Sequence, residues 1–257
     1  ATLTISEARG RILKRLPDTG YERITAGRSL LLIDADTPPP RPYDGEAHAG
    51  LMSFEFSVGK ERILVNCGAG EGQDPEWRRA MAATAAHNTV ICKDKNACEL
   101  LPSGGIGSRQ PSEMMARRYE EDDQQVVEMS HDGYMSKHKV TMQRSLGLTK
   151  DGHELRGRDV ITGPKGTDFT VRWHIHPKVN VSLAQGGASA LLRTSAGHGW
   201  RLRVRGGDLA LENSVYCGQD KPRRTFQLRA TGRTQKEPAI VEWALTREQV
   251  KKGAKKR

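Results

Sequence analysis

The stretch "GEAHAGLMSFEFSVGKERILVNCGAG" spans residues 45–70. After Met52 its residues alternate: Phe54 and Phe56 fall on one side, and Ser53, Glu55 and Ser57 on the other. A repeat of two belongs to a strand with one buried face. Gly59-Lys60 marks a turn, and "KERILVNCG" supplies the returning strand of a hairpin. One histidine, His48, stands just ahead of the first strand. A histidine in that place serves as a metal ligand, a proton carrier or a packing residue.

Outward from this hairpin the pattern is strand after strand. "YERITAGRSLLLIDA" reads as a hairpin with Gly27 near its turn. "TPPPRPYDGEA" is expected to be irregular, because its four prolines prevent regular pairing. "PEWRRAMAATAAHNTVICKD" opens with an alanine-rich helical turn and closes on the β-like "NTVIC". "KNACELLPSGGIGSRQPSEMMARRYEEDDQQ" has the weakest pattern and is expected to hold a mobile loop. Beyond it, "QVVEMSHDGY", "HKVTMQRSLGLTKDGHELRGRDVIT", "DFTVRWHIHP", "ASALLRTSAGHGWRLRVRGG", "LALENSVYC", "RRTFQLRAT" and "AIVEWALTR" are β-rich and separated by turn residues. Asp151-Gly152 is a strong hairpin signal among them. This succession predicts an all-β fold, an antiparallel multi-stranded β-sandwich of two stacked sheets. "ISEARGRILKRL" places Ile5, Ala8, Ile12 and Leu16 at helical spacing. Residues 1–17 therefore read as a linker or remnant helix, 18–250 as the sandwich, and 251–257 as a basic tail.

Composition bounds the partners. The chain has 257 residues, with 41 basic and 31 acidic side chains and a net charge of +10, which concentrates anionic partners. Aromatic residues are only 5% and no nucleic-acid motif is visible, so a base-stacking platform is disfavoured. Cys67, Cys92, Cys98 and Cys217 show no Cys-x-x-Cys spacing, which argues against a zinc ribbon or a thioredoxin-like motif. No apolar run approaches the roughly 20 residues of a membrane span. The first residues contain no apolar signal core.

Eight histidines are spread along the chain. His138, His153 and His198 sit in charged or turn contexts. His174 and His176 share one face of a strand, with Trp173 and Ile175 on the other. Such a pair binds a metal or an anion, or forms a polar outward face. His87-Asn88 combines a proton carrier with neutral donors suited to a carboxylate or oxyanion. "SHDGY", with His131, Asp132 and Tyr134, reads as a turn that packs the sandwich, and as a secondary site candidate.

Taken in order, "LPDTGYERI", "AHAGLMSFEFSVG", "RILVNCGAG", "WRRAMAATAAHNTV", "HDGY", "VRWHIHP", "GWRLR", "ENSVY" and "WALTR" resemble the C-terminal β-sandwich of the heparinase II/III-like polysaccharide lyases, in their bacterial branch. The resemblance runs from about residue 16 to 247. It implies a two-part enzyme in which an N-terminal (α/α) toroid packs on the sandwich. An acidic, uronate-containing polysaccharide such as a glycosaminoglycan lies between them and is cleaved by lytic β-elimination. It also implies a zinc site in some members. The family's His-x-His-x-Asp pattern, anchored on Ser53-Phe54, falls on Glu46, His48 and Gly50. The aspartate that ends the next strand in zinc-binding members is Asn66 here, and the later histidine is His87. The implied metal set is thus His48, Asn66 and His87, with an amide where zinc favours nitrogen, sulfur or carboxylate donors. The implied catalytic candidates are His87, Asn88 and Glu46, and the substrate-contact candidates are His174, His176, Arg172 and Tyr134.

The chain holds no run of paired amphipathic helices that would build a toroid. Two readings follow: the sandwich half of a lyase that needs a toroid, or a non-catalytic carbohydrate-binding or scaffold module of the same fold. The compartment stays open, since the resemblance implies a periplasmic or secreted protein and a cytoplasmic one is equally compatible.

Overall fold

A computed structural model describes residues 14–16, 18–70, 74–218 and 221–248. The expected basic tail and most of the expected N-terminal helix lie outside the described residues. Of that helix, Arg15–Leu16 form a short strand, β1, paired with Tyr21 and Glu22.

The opening hairpin sits in a five-stranded antiparallel sheet. Its order is β1, β2 (Tyr21–Ala26), β3 (Ser29–Asp34), β4 (Phe54–Val58) and β5 (Glu61–Leu64). The alternation read from β4 is realised, with Phe54, Phe56 and Val58 buried and Glu55 and Ser57 half-buried. A four-stranded sheet contains β6 (Val90–Cys92), β11 (Asp168–His174), β15 (Asp208–Tyr216) and β16 (Arg223–Arg233). The third sheet has eight strands: β7 (Met114–Glu121), β8 (Gln124–Tyr134), β9 (Val140–Thr149), β10 (Glu154–Thr162), β12 (Asn180–Ala184), β13 (Ser189–Arg193), β14 (Gly199–Arg205) and β17 (Ala239–Arg247).

These three sheets make two layers. A bridge between Leu64 and Ile175 joins the five- and four-stranded sheets, together with N–H donation from Val65 to the His174 carbonyl at 3.1 Å. Both then face the eight-stranded sheet. Phe54 stacks on Trp243 at 5.4 Å, Phe56 meets Trp200 edge-on at 5.4 Å, and Trp173 meets Trp243 edge-on at 5.6 Å. Each pair crosses from one layer to the other, and aromatic pairs add about 0.5–1.5 kcal/mol beyond the area they bury. A few aromatics thus suffice because they sit at the centre of the interface.

One ion pair lies inside this core. Arg144 on β9 and Asp159 on β10 are cross-strand partners, fully buried, with Nε 2.6 Å from Oδ1. The Trp243 indole donates to the other carboxylate oxygen at 3.2 Å. Arg144 Nη1 donates to the carbonyls of Met52 (2.9 Å) and Asn88 (2.7 Å). Met52 holds a left-handed backbone, with φ 56°, which a non-glycine residue adopts only when its surroundings impose it. The guanidinium therefore ties two separate loops to one point beneath the site.

The stretch of weakest pattern is irregular over most of residues 95–113 and ends in β7, formed by "MMARRYEE"; one segment differs from expectation. "HDGY" is not a turn: β8 runs through it, with a register shift between His131 and Tyr134 that absorbs the Asp-Gly step. Asp132 then accepts the backbone N–H groups of Ser112 (2.8 Å) and Glu113 (3.2 Å). The Asp151-Gly152 turn joins β9 and β10 as read, with Gly152 at φ 73°.

Candidate functional site

Local chemistry brings His48 to His87. Helix α1 (Pro75–Ala82) starts where the Asp74 carboxylate accepts the Trp77 N–H at 2.9 Å and Pro75 occupies the first turn. Its last carbonyl, that of Ala82, accepts the Ala49 N–H at 2.8 Å. The Thr84 hydroxyl donates to the Ala49 carbonyl at 2.6 Å, and the Thr89 hydroxyl to the Leu51 carbonyl at 2.7 Å. The loop ahead of β4 is thus pinned along the segment that carries His87.

Between the two rings, His48 Nδ1 lies 3.0 Å from His87 Nε2. His87 Nδ1 lies 2.8 Å from the Ala83 carbonyl, which can only accept. These partners assign the tautomers. His87 carries its proton on Nδ1 and accepts at Nε2, so His48 donates from Nδ1. The remaining nitrogen, His48 Nε2, holds a lone pair with no partner among the described residues. Burial, with His48 and His174 nearby, pushes the His87 pKa down to about 3. Burial also lowers that of His48, against the opposing charge of Glu46. Both rings are neutral at neutral pH.

His48 lines a cleft of about 360 Å³ shared with Tyr21, Asp34, Ser53 and Asn66, with His87 in its floor. The cleft continues past Glu46 and His48 into a smaller hollow of about 120 Å³ bounded by Arg78 and Arg79 of α1. Tyr21 and Asp34 are direct partners across β2 and β3. Burial, aided by Asp36, raises the Asp34 carboxyl to about 7, and burial with Asp34 and Glu55 raises the Tyr21 hydroxyl to about 12. Neither residue stood out in the sequence, because a Tyr and an Asp thirteen positions apart converge only once the register of a hairpin is known. Alternation places both at strand ends, which is the one signal available.

The other candidates take different places. Asn88 is fully buried beneath the cleft. Its amide donates to the Phe54 carbonyl (2.8 Å) and accepts the His174 N–H (2.6 Å), so it braces strands and does not face the cleft. Glu46 is exposed at the rim. Asn66 donates to Ser53 Oγ (3.4 Å), and its carbonyl oxygen accepts the Asn88 N–H (2.9 Å).

His174 departs from the expected outward face. It is 3% exposed, its Nε2 donates to the Ala85 carbonyl (2.9 Å), and its Nδ1 accepts from Ser214 (2.9 Å). Residues 84–86 cover that face of β11, so His174 packs the interior. Tyr134 is 1% exposed, with its hydroxyl near the Val90 carbonyl, and is likewise a packing residue. Arg172 is half-buried against Gln227 (3.0 Å), and His176 lines a separate hollow. Neither lines the His48 cleft.

The donor set does not fit zinc. Of the two imidazoles only His48 Nε2 keeps a lone pair, since His48 Nδ1 and His87 Nε2 are spent on one another, and the third position is an amide whose oxygen is already bonded. Among the described residues no group of three or more His, Cys, Asp or Glu side chains is placed to hold an ion. Gly50, at the family's aspartate position, is closed to any side chain: a Cβ there would lie 2.5 Å from His87 Cδ2.

Residues 8–244 match the model of the family described as "Heparinase II/III-like, C-terminal". The chain belongs to this family. FtsZ-localized protein C of Caulobacter vibrioides is 28% identical over 268 residues, covering 96% of this chain and 46% of the relative. Among solved structures, heparan sulfate lyase HepC from Pedobacter heparinus superposes with a TM-score of 0.76 at 13% identity, covering 96% of this chain and 38% of that one. A heparinase III superposes at 0.72 and 15% identity, covering 98% and 37%. At such identity the lyase structures establish the fold alone. The chain spans about half the length of the curated relative and under two fifths of the lyases.

Proposed function

We propose that this domain forms one wall of a cleft for a uronate-containing acidic polysaccharide, and that β-elimination proceeds there when an (α/α) toroid closes the other wall. The observation that carries this reading is the hydrogen-bond chain from Ala83 through His87 to His48, ending on a free lone pair in an open cleft. In the elimination a base removes the C5 proton of the uronate. The C–H electrons form the C4–C5 double bond, and the 4-linked sugar oxygen leaves with the proton that the base has taken up, which restores the base. His48 Nε2 is the acceptor, unprotonated because its pKa is lowered. His87 acts through His48 as a positioning residue. Arg78 and Arg79 draw the uronate carboxylate into the cleft, and Tyr21 and the partly protonated Asp34 supply neutral donors.

A second reading has its own support. Glu46, Gly50 and Asn66 all depart from the family's zinc-binding pattern, and the curated relative is named for localisation with FtsZ. On that reading the domain is a non-catalytic carbohydrate-binding or scaffold module in a protein that localises with FtsZ.

One experiment separates them. The chain joined to a toroid domain is incubated with a panel of polyuronates, and the ultraviolet absorbance of the unsaturated uronate is followed. Lyase function predicts product, and a loss of about 10²–10⁴-fold in kcat for His48→Gln. Binding of polymer with no product on any of them refutes the lyase reading and leaves the module.

A further inference from the structure

The tip of the β4–β5 hairpin builds a second hollow, of about 400 Å³, at the end of β5 opposite Asn66. Six residues of extended chain, roughly 20 Å, separate Lys60 from Asn66. The hollow is therefore distinct from the His48 cleft, and nothing said of it rests on the proposed lyase reaction. Lys60, Arg62, His176, Lys178 and Arg223 line it.

Glu61 is the one carboxylate among its described lining residues, and its oxygens are taken up by hydrogen bonds along one side of the hollow, to Thr194, Ser195 and Ala196. Oε2 accepts the Thr194 hydroxyl at 2.9 Å, and Oε1 accepts the Ala196 N–H at 2.8 Å and the Ser195 hydroxyl at 3.4 Å. Among the described residues no carboxylate stands within ion-pair distance of Lys60, Arg62, Lys178 or Arg223. Like charges crowded into a concave surface raise its potential, and an anion relieves it.

Two of the donors are held in place. Arg62 Nη1 donates to the hydroxyl of the buried Tyr216 at 2.8 Å, which fixes the fork of the guanidinium. His176 Nδ1 accepts the Lys178 N–H at 3.2 Å, so the ring proton sits on Nε2 and makes that nitrogen a donor. The ring also packs edge-on against Tyr216 at 5.2 Å. Burial, then the charges of Arg62, Lys178 and Arg223, lower the His176 pKa, in keeping with cations gathered close to it. Donors here come from several elements: the β4–β5 tip, the segment after β11, and the start of β16. A carboxylate offers two oxygens in one plane, whereas a tetrahedral ester offers three in a cone, and arginine forks suit such oxygens.

We propose that this hollow is a binding site for a tetrahedral oxyanion, a sulfate or phosphate ester on a sugar, held by Arg62 and Arg223 with His176 Nε2–H and Lys178 completing the shell.

The test titrates the 257-residue chain at low salt with glucose 6-sulfate, glucose 6-phosphate and glucuronate. The imidazole resonances of His176 and calorimetry give the affinities. A saturable shift is expected with the esters, weakening as sodium chloride is raised. Arg62→Gln and Arg223→Gln each lower ester affinity about tenfold. Tyr216→Phe, which frees the Arg62 fork, lowers it less, and His48→Gln leaves it unchanged. The tighter ester names the source. Loss of all saturable binding, ester affinity unaltered in both arginine variants, or glucuronate binding as tightly as the esters overturns the proposal. Unfolding curves of both arginine variants guard against a folding defect, and the two sites are independent enough that one intact variant decides.

Discussion

Replacing Gly50 by alanine tests whether the His87 ring is as tightly enclosed as the geometry requires. The new Cβ would stand 2.5 Å from Cδ2 and 2.9 Å from Cγ and Nε2 of His87. Carbon atoms in contact prefer about 3.5–4.0 Å, so the ring must retreat by roughly 1 Å. It has little room: His87 is 5% exposed, 2.8 Å from the Ala83 carbonyl and 3.0 Å from His48. Overpacking of this kind costs about 1–3 kcal/mol. A hydrogen bond lost to the shift adds about 1 kcal/mol, for a total of about 2–4 kcal/mol. His87→Ala removes the ring and leaves the Ala83 carbonyl unpaired, at about 2–4 kcal/mol. In the double variant the alanine methyl enters the space the ring has left. The combined loss is then smaller than the sum by about 1–3 kcal/mol. Urea unfolding followed by tryptophan fluorescence reads this from the midpoints at unchanged slope. Additivity within about 0.5 kcal/mol, or a Gly50→Ala variant as stable as the parent, would refute the packing argument.

Acid stability is the second expectation. His87, His131 and His174 have pKa values lowered by burial to about 3, 4 and 4 from 6.5. The unfolded chain binds these protons first as pH falls, so their contribution is present above pH 6.5 and lost on the way to the folded values. His131 and His174 each account for about 3 kcal/mol over that window. Asp34, raised to about 7, works in the opposite direction between 3.8 and 7, so Asp34→Asn steepens the acid loss. A flat dependence of the urea midpoint on pH between 4.5 and 7 would contradict this. Third, Arg144→Met strands the buried Asp159 and costs about 3–5 kcal/mol. Arg144→Met with Asp159→Leu recovers part of that loss, and a double variant no better than the single one argues against the pair being the cause. Fourth, a chelator leaves the unfolding midpoint where it was, and a drop on chelation, or stoichiometric zinc in elemental analysis, overturns the statement that the donor set does not fit the metal.

What the sequence made legible follows from the range of each interaction. The β4–β5 and β9–β10 hairpins are local: a repeat of two and a Gly-Lys or Asp-Gly turn decide them within a dozen residues. The pairing of His48 with His87 was approached through the family pattern, which named both residues, yet their direct contact depends on Ala49, Thr84 and Thr89 bonding across separate loops. His174 misled because strand alternation predicts two faces and says nothing about what covers them. Here Trp173 faces the opposite sheet while residues 84–86 close over His174, so both sides are buried. Of the reading of "HDGY" as a turn that packs the sandwich, the packing held and the turn did not. Asp-Gly favours a turn, but a register shift let β8 continue and carried the tyrosine into the core.

The departures at positions 50 and 66 make sense together once charge is counted. An aspartate at 66 would also accept the Asn88 N–H, but it would stand in a half-buried place beside two neutral imidazoles. A carboxylate there would bear a desolvation cost that a neutral amide does not. The Asn66 amide keeps the bond to Asn88, adds one to Ser53, and carries no charge. Gly50 gives up its side chain to the ring of His87, which lets that ring sit 3.0 Å from His48. Loss of the anionic ligand, loss of the side chain at 50 and the direct imidazole contact are therefore one change. In the zinc-binding pattern a metal would consume the nitrogens of His48 and His87. In this chain one nitrogen of each ring is spent on the other, His87 Nδ1 is spent on Ala83, and His48 Nε2 alone is left without a partner among the described residues.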